Sequence, residues 1–351
     1  MRRIRRLLLA TLALGALVPG SATATPDLSR TEPDLDRPLK WLVSAQNDDG
    51  GWGAEIKDRA PDVATTAIST LSLIRLGHTM SAGAYAATTK KGVGYIVAAV
   101  EKTPKEEIAI NAPGTLPQRK LGRYIDTFLG AQALSEALPS MAPGKERDRV
   151  KAALQSCVSK IERAQRADGS FSPDGWAGVL SDAFATGGLH AAKAAGATTS
   201  ATVEKRAEEH MLGNYDEGTH HFRTQTSAGV ELYSMAGTAE AAARTGRMKG
   251  EAAQAALTRL SDESFIRGFG TYGGEEHVSY MMTSEALATV GGKDWERWNR
   301  GIRLRLAHIQ RDNGTWRGDH CITSTSFCTA ASLITLMVRP HPVKATAAHQ
   351  S

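Results

Sequence analysis

Gln46-Asn47-Asp48-Asp49-Gly50-Gly51-Trp52 closes a run with helical period, and its pattern returns twice further along the chain. The second copy is Gln165-Arg166-Ala167-Asp168-Gly169-Ser170-Phe171. The third is Gln310-Arg311-Asp312-Asn313-Gly314-Thr315-Trp316. Behind each copy stands a segment rich in small residues, with Thr66-Ala67, Thr186-Gly187 or Thr329-Ala330 placed 13 to 15 residues after the aromatic. A cassette recurring in this way predicts a repeat architecture, in which each unit buries its apolar face against its neighbours.

The helices are read from period. Leu39, Leu42, Val43 and Gln46 follow i, i+3, i+4, i+7, one stripe of a helix. Asp49-Gly50-Gly51 then ends it, because glycine supplies the φ > 0 turn. The small-residue segments, such as 64–71 and 328–333, suit inner helices whose axes approach closely. Spacing divides the chain into six helix pairs, over about 38–77, 90–139, 148–196, 202–246, 250–292 and 294–338. The second, fourth and fifth carry degenerate cassettes, and a Pro/Gly-rich stretch 103–117 enlarges the second. Trp52, Phe171 and Trp316 are expected as packing staples between units. Segments 25–37 and 339–351 read as tails, polar and without period.

Residues 1–24 have the form of a signal peptide. Four arginines precede the apolar stretch Leu7–Val18, too short to span a bilayer, and Ala22-Thr23-Ala24 offers a cleavage site. Secretion, or delivery to a periplasm after cleavage near Ala24, is therefore expected. Four of the 42 basic residues lie in this leader, which leaves 38 against 37 acids. The basicity of the whole chain is thus a targeting feature and gives no support to a nucleic-acid partner. No later stretch is apolar enough for an integral membrane span. Cys157, Cys321 and Cys328 are an odd number, so at least one thiol is unpaired in an oxidising compartment.

The cassette, Gln-x-x-x-Gly-x-Trp after a helix and before a Thr-Ala helix, resembles the repeat of the prenyltransferase and squalene-cyclase family. The resemblance covers most of the chain beyond the leader. It implies an all-α fold, an (α/α)6 toroid over 38–338, as in terpenoid cyclases and protein prenyltransferase β subunits. It is less specific for chemistry, since one toroid serves enzymes and binding proteins alike. Squalene-type cyclases protonate an alkene from an Asp-x-Asp-Asp cluster, and this chain has none: Asp34-Leu35-Asp36 lies in the tail and Asp48-Asp49 in a turn. Six Trp, seven Tyr and seven Phe are also few for lining a carbocation cavity. Protein prenyltransferases hold zinc with Asp-x-Cys and a His. Asp319 and Cys321 match that pair, so the resemblance implies a zinc cofactor there, with His277 or His320 as third ligand.

Candidate site residues cluster near the starts of the inner helices. Asp62, Asp182, Glu231 and Glu276 occupy similar places, with Asp126 nearby, and are expected to ring one mouth; the same residue types also cap helix N-termini. Asp319-His320-Cys321 reads as a zinc-type donor set or, with Cys321 in the preceding loop, as half of a disulfide to Cys328. Glu276 and His277 with Tyr280 one turn on form an acid–base candidate, and Asp182 is a second. His220 and His221, in the loop of the fourth unit, join Asp62, Glu231 and His320 as binding candidates. The expected function is an exported toroid that binds an organic ligand at the inner-helix N-terminal end, with metal-assisted chemistry at Asp319 and Cys321. Two alternatives stand beside it: a polysaccharide lyase or hydrolase using Glu276, Asp182 and His277, and a non-catalytic binding or scaffold module of the cell envelope.

Overall fold

A computed structural model describes residues 27–55, 60–171, 174–262 and 272–340. The expected leader, its cleavage site and residues 341–351 of the tail lie outside the described residues. Six helices form an inner ring: α2 (Val63–Arg75), α5 (Ile125–Ala137), α7 (Gly178–Ala194), α9 (Glu231–Arg244), α11 (Gly274–Val290) and α13 (Thr325–Met337). Each packs on the next, and α13 returns to α2. Outside them run α1 (Asp36–Ser44), α3 (Ala86–Lys102), α6 (Lys145–Ala164), α8 (Ala201–Leu212), α10 (Glu251–Leu260) and α12 (Gly292–His308). The fold is thus an all-α, (α/α)6 toroid. Short α4 (Leu116–Leu121) and a hairpin of β1 (Tyr215–Asp216) with β2 (His221–Phe222) decorate it. No helix among the described residues is long and apolar enough to cross a membrane.

Composition sorts the two rings. In α2 every residue from Val63 to Leu73 is buried, as is nearly all of α5, α11 and α13. Ala, Ser, Thr and Gly there let each axis contact neighbours on all sides. The outer α6 instead buries one stripe, Val150, Ala153, Leu154, Cys157, Val158 and Ile161, and leaves its charges other than Lys160 in water.

The cassette is a joint between units. Gln46 Nε2 donates to the Gly50 carbonyl (2.9 Å) in its own turn and to the Thr88 carbonyl (3.0 Å) of the next outer helix. Gln165 does the same with Gly169 (3.4 Å) and Val203 (2.9 Å). Gln310 reaches Gly314 (2.8 Å) and, past the end of the repeat, Asp34 (2.7 Å) before α1, which closes the ring. Gly50 has φ 91°, and a Cβ there would lie 2.4 Å from the Lys91 carbonyl oxygen, so the next unit can dock only on glycine. The Thr of the inner helix accepts from the aromatic's amide: Trp52 N to Thr66 Oγ1 at 2.9 Å, Trp316 N to Thr329 Oγ1 at 3.1 Å. Both indoles donate back to their own outer helix, at Leu42 O and Leu306 O.

Phe171 lacks an indole N–H, and Asp182 takes a role in its place. Its Oδ1 accepts from Phe171 N at 2.7 Å, and Oδ2 faces His210 Nε2 of α8 at 3.3 Å. The other ring nitrogen of His210 bonds the Asp168 carbonyl at 3.1 Å. Burial pushes this imidazole down, but the Asp182 carboxylate outweighs it and holds the group above its ordinary value. The pair's stabilisation is therefore complete below pH ~6.5 and lost as pH rises through the folded value. The thermal midpoint of the native protein should exceed that of His210→Gln by a gap that narrows between pH 5.5 and 9. A gap constant across that range would sink the assignment.

Candidate functional site

The two ends of the ring differ. At the inner-helix C-terminal end, Arg75 of α2 forks onto Glu136 of α5 (2.9 and 2.7 Å) and also pairs with Glu285 of α11. Arg244 of α9 pairs with Glu240 (2.5 Å) and Glu285 (3.4 Å). Two cations thus face three carboxyls. Burial raises Glu240, whose exposure is only 4%, and the neighbouring Glu285 raises it further. Beside this network a void of about 10 Å³ lies among Phe184, Gly187, Met281 and Met282, room for one water at most.

The inner-helix N-terminal end carries the reactive groups. Glu275, in the first turn of α11, is fully buried. Its Oε2 accepts from Ile322 N at 3.2 Å, whereas Oε1 has no partner. Burial pushes this carboxyl up to about 7. Cys321 lies beside it with φ 54°, a left-handed conformation that a non-glycine residue adopts at a cost. Its thiol is raised by burial and by Glu275, and Lys120 of α4 draws it back through a hydrogen bond. The Lys120 ammonium stands 5.1 Å from the ring centre of Trp176, which is 44% exposed. Four units thus meet here: α4 from the second, the loop before α7 from the third, α11 from the fifth, and the loop before α13 from the sixth.

The residues expected from the sequence fall into different places. Glu276 accepts from Gly273 N at 2.6 Å and from the Tyr233 hydroxyl of α9, tying α11 to its neighbour. His277 and Tyr280 do not join Glu276 in one site. A helix turns about 100° per residue, so His277 is turned away from Glu276 and its Nδ1 meets Ser332 Oγ (2.9 Å), while Tyr280, one turn on, is buried against Trp298 (6.4 Å). Burial, aided by Arg305, lowers His277 to about 3, which keeps it neutral. Asp62 caps α2 through Thr65 N (2.7 Å) and Thr65 Oγ1 (2.8 Å). Behind it Asp126 is held by Ala64 N (3.0 Å) and Gln118 Nε2 (2.7 Å); burial, then Asp62, pushes it up to about 7. Glu231 is half-buried in the first turn of α9. His220 and His221 sit exposed on the hairpin, where His220 pairs with Tyr215 (3.0 Å) and Glu251 (3.6 Å); they stay with the outer helix α10 and do not join the mouth.

The zinc set does not assemble. Asp319 is exposed, its amide on the Tyr272 carbonyl; His320 bridges Gly273 through the backbone; and the raised Cys321 thiol is a poor source of thiolate. Among the described residues no group of three His, Cys, Asp or Glu is placed so that it could hold a metal ion. Cys321 and Cys328 are both free thiols, and Cys328 Sγ contacts the Ile322 carbonyl at 3.6 Å instead. Glu275, Lys120 and Trp176 were not legible as a group, though the Glu275-Glu276 pair at a helix start marked the place.

A second space lies beside the mouth. The segment 103–115 crosses as a strap, clamped by the buried Lys160 of α6 on the Pro104 carbonyl (2.8 Å) and that of Glu107. Strap, α3 and α4 enclose a groove of about 1150 Å³ that reaches Val63 at the start of α2 and Tyr124 before α5.

No family model matches the chain, and no curated protein matches it. Solved structures do. The type II terpene cyclase MstE from Scytonema matches with TM-score 0.55 at 15% identity, over 86% of this chain and 96% of that one. The same cyclase with its substrate geranylgeranyl dihydroxybenzoate matches with TM-score 0.51 at 14% identity, over 86% and 95%. An α-amylase from Clostridium perfringens matches with TM-score 0.53 at 11% identity, over 86% and 96%. The protein therefore has the α/α toroid fold of the terpenoid cyclases.

Proposed function

We propose that this protein binds a neutral glycan at the mouth of the ring and, when the Cys321 turn that covers Glu275 gives way, transfers a proton to it from Glu275. The observation that carries the reading is Glu275 itself, a fully buried carboxyl with an unpartnered Oε1 and an affinity for its proton raised to about 7. Such a group holds a proton at neutral pH and can still release it, which a general acid needs. Trp176 supplies an exposed aromatic face on which a sugar ring can lie. An α-amylase is built on the same ring, and the expected leader would deliver the chain to where polysaccharides are met. The cyclase alternative is less well supported, because the chain has no Asp-x-Asp-Asp cluster to protonate an alkene.

The test is reducing-end release from soluble starch, xylan and mixed-linkage β-glucan. Glu275→Gln should lower turnover about a hundredfold with an unchanged circular dichroism spectrum. Native activity should fall on the alkaline side through about 7, as Glu275 loses its proton. A Glu275→Gln variant that cuts as fast as the native chain overturns the reading.

A further inference from the structure

The groove beneath the strap has features that the mouth does not use. Its lining charges cancel, Lys91, Lys102 and Arg123 against Asp49, Glu106 and Glu107, so it favours neither anion nor cation. Tyr95 and Tyr124 offer ring faces, and Thr103, Asn111 and Gln118 offer hydroxyl and amide groups. This is a lining for a polar, uncharged molecule with apolar faces. Gly94 sits in the middle of α3 on the groove wall, and a Cβ there would meet nothing within 4 Å. Glycine inside a helix costs roughly 1 kcal/mol relative to alanine. No neighbour demands it at this position, and what it leaves is room. Ala98, one turn on, continues the same floor.

The groove also leads to the mouth. Arg123 stacks on Tyr124 at 5.6 Å and is held by Asp174, two residues before Trp176. Lys120, on the same short stretch of chain as Tyr124, covers Trp176. Tyr95 and Tyr124 thus line the groove, and Trp176 stands beyond it under Lys120, whose charge also acts on Glu275. The geometry points to an extended subsite: the groove holds the distal sugars of a neutral glycan whose reacting unit lies in the mouth. This assignment rests on the reading of the mouth given above.

Titration calorimetry on the full-length protein tests it, with three- and seven-unit malto-, cello- and xylo-oligosaccharides. In one series the seven-unit chain should bind at least tenfold more tightly than the three-unit chain. Gly94→Phe fills the groove and should abolish that difference; Ala98→Phe does so from the neighbouring turn should the first variant fold poorly. If a folded variant of either kind keeps the full length advantage, the groove is not a subsite. The same conclusion follows if three- and seven-unit chains bind the native protein equally. If no chain of any series binds, the mouth reading fails and the groove assignment falls with it.

Discussion

Trp316→Ala is expected to lower the unfolding free energy by about 3–5 kcal/mol. The side chain is fully buried where α12, α13 and the closing turn meet. Alanine removes the whole indole volume, and cores relax only partly into such a cavity. It also strands the Leu306 carbonyl, which accepts the indole N–H at 2.8 Å. Trp316→Phe separates the two contributions, since it keeps most of the packing and loses only that bond, for about 1–3 kcal/mol. Chemical denaturation gives both numbers. A loss below 1 kcal/mol for alanine would mean that the joint is not where the ring is held.

The second large effect is at the opposite end. Arg75→Met should cost roughly 3 kcal/mol, the lower part of the range for stranding a buried charge, because the Arg75 side chain keeps a fifth of its exposure. Methionine restores bulk but leaves Glu136 and Glu285 without the guanidinium that both contact. The penalty should shrink toward pH 4.5 as the carboxyls take up protons. Adding Glu285→Gln to the same chain should restore a substantial part of the stability. Thermal midpoints at pH 4.5 and 8 for the single and double variants decide the matter. Equal losses at both values would show that bulk, and not charge, is what Arg75 provides.

The joint could be read from sequence because its parts act locally. Gln46, Asp49, Gly50 and Trp52 fix a turn within seven residues, and Gly50 Cα faces whatever outer helix comes next. The acid–base group could not. Glu275 and Glu276 are neighbours with the same side chain, yet one ties Tyr233 of the adjacent inner helix and the other lies beside Cys321. Rotation of about 100° between them has meaning only once the ring is closed. Lys120 and Trp176 come from other units, and α4 is a short insertion outside the repeat. His277 and Tyr280 looked catalytic by proximity to Glu276 and proved to be buried between helices. The ionic network was invisible for a related reason. Arg75 and Arg244 sit in the last turns of their helices, where a cation is ordinary, and only the ring brings Glu136 and Glu285 to them.

The closing clamp differs from the others in one respect, the length of chain it spans. Gln46 and Gln165 reach partners 42 and 38 residues away, whereas Gln310 and Asp34 are 276 apart. Loop-closure entropy grows as (3/2)RT ln n, so shutting the ring costs about 1.7 kcal/mol more than adding a unit. The closing clamp is therefore expected to be the last to form, after the units have docked on one another as an arc. Until then α2 and α13 are bare edges, shaped to fit each other and equally shaped to fit those of another copy. An arc that meets a second arc before its own ends meet becomes longer instead of closing. The speed of that last step, set against protein concentration, decides between a ring and a filament.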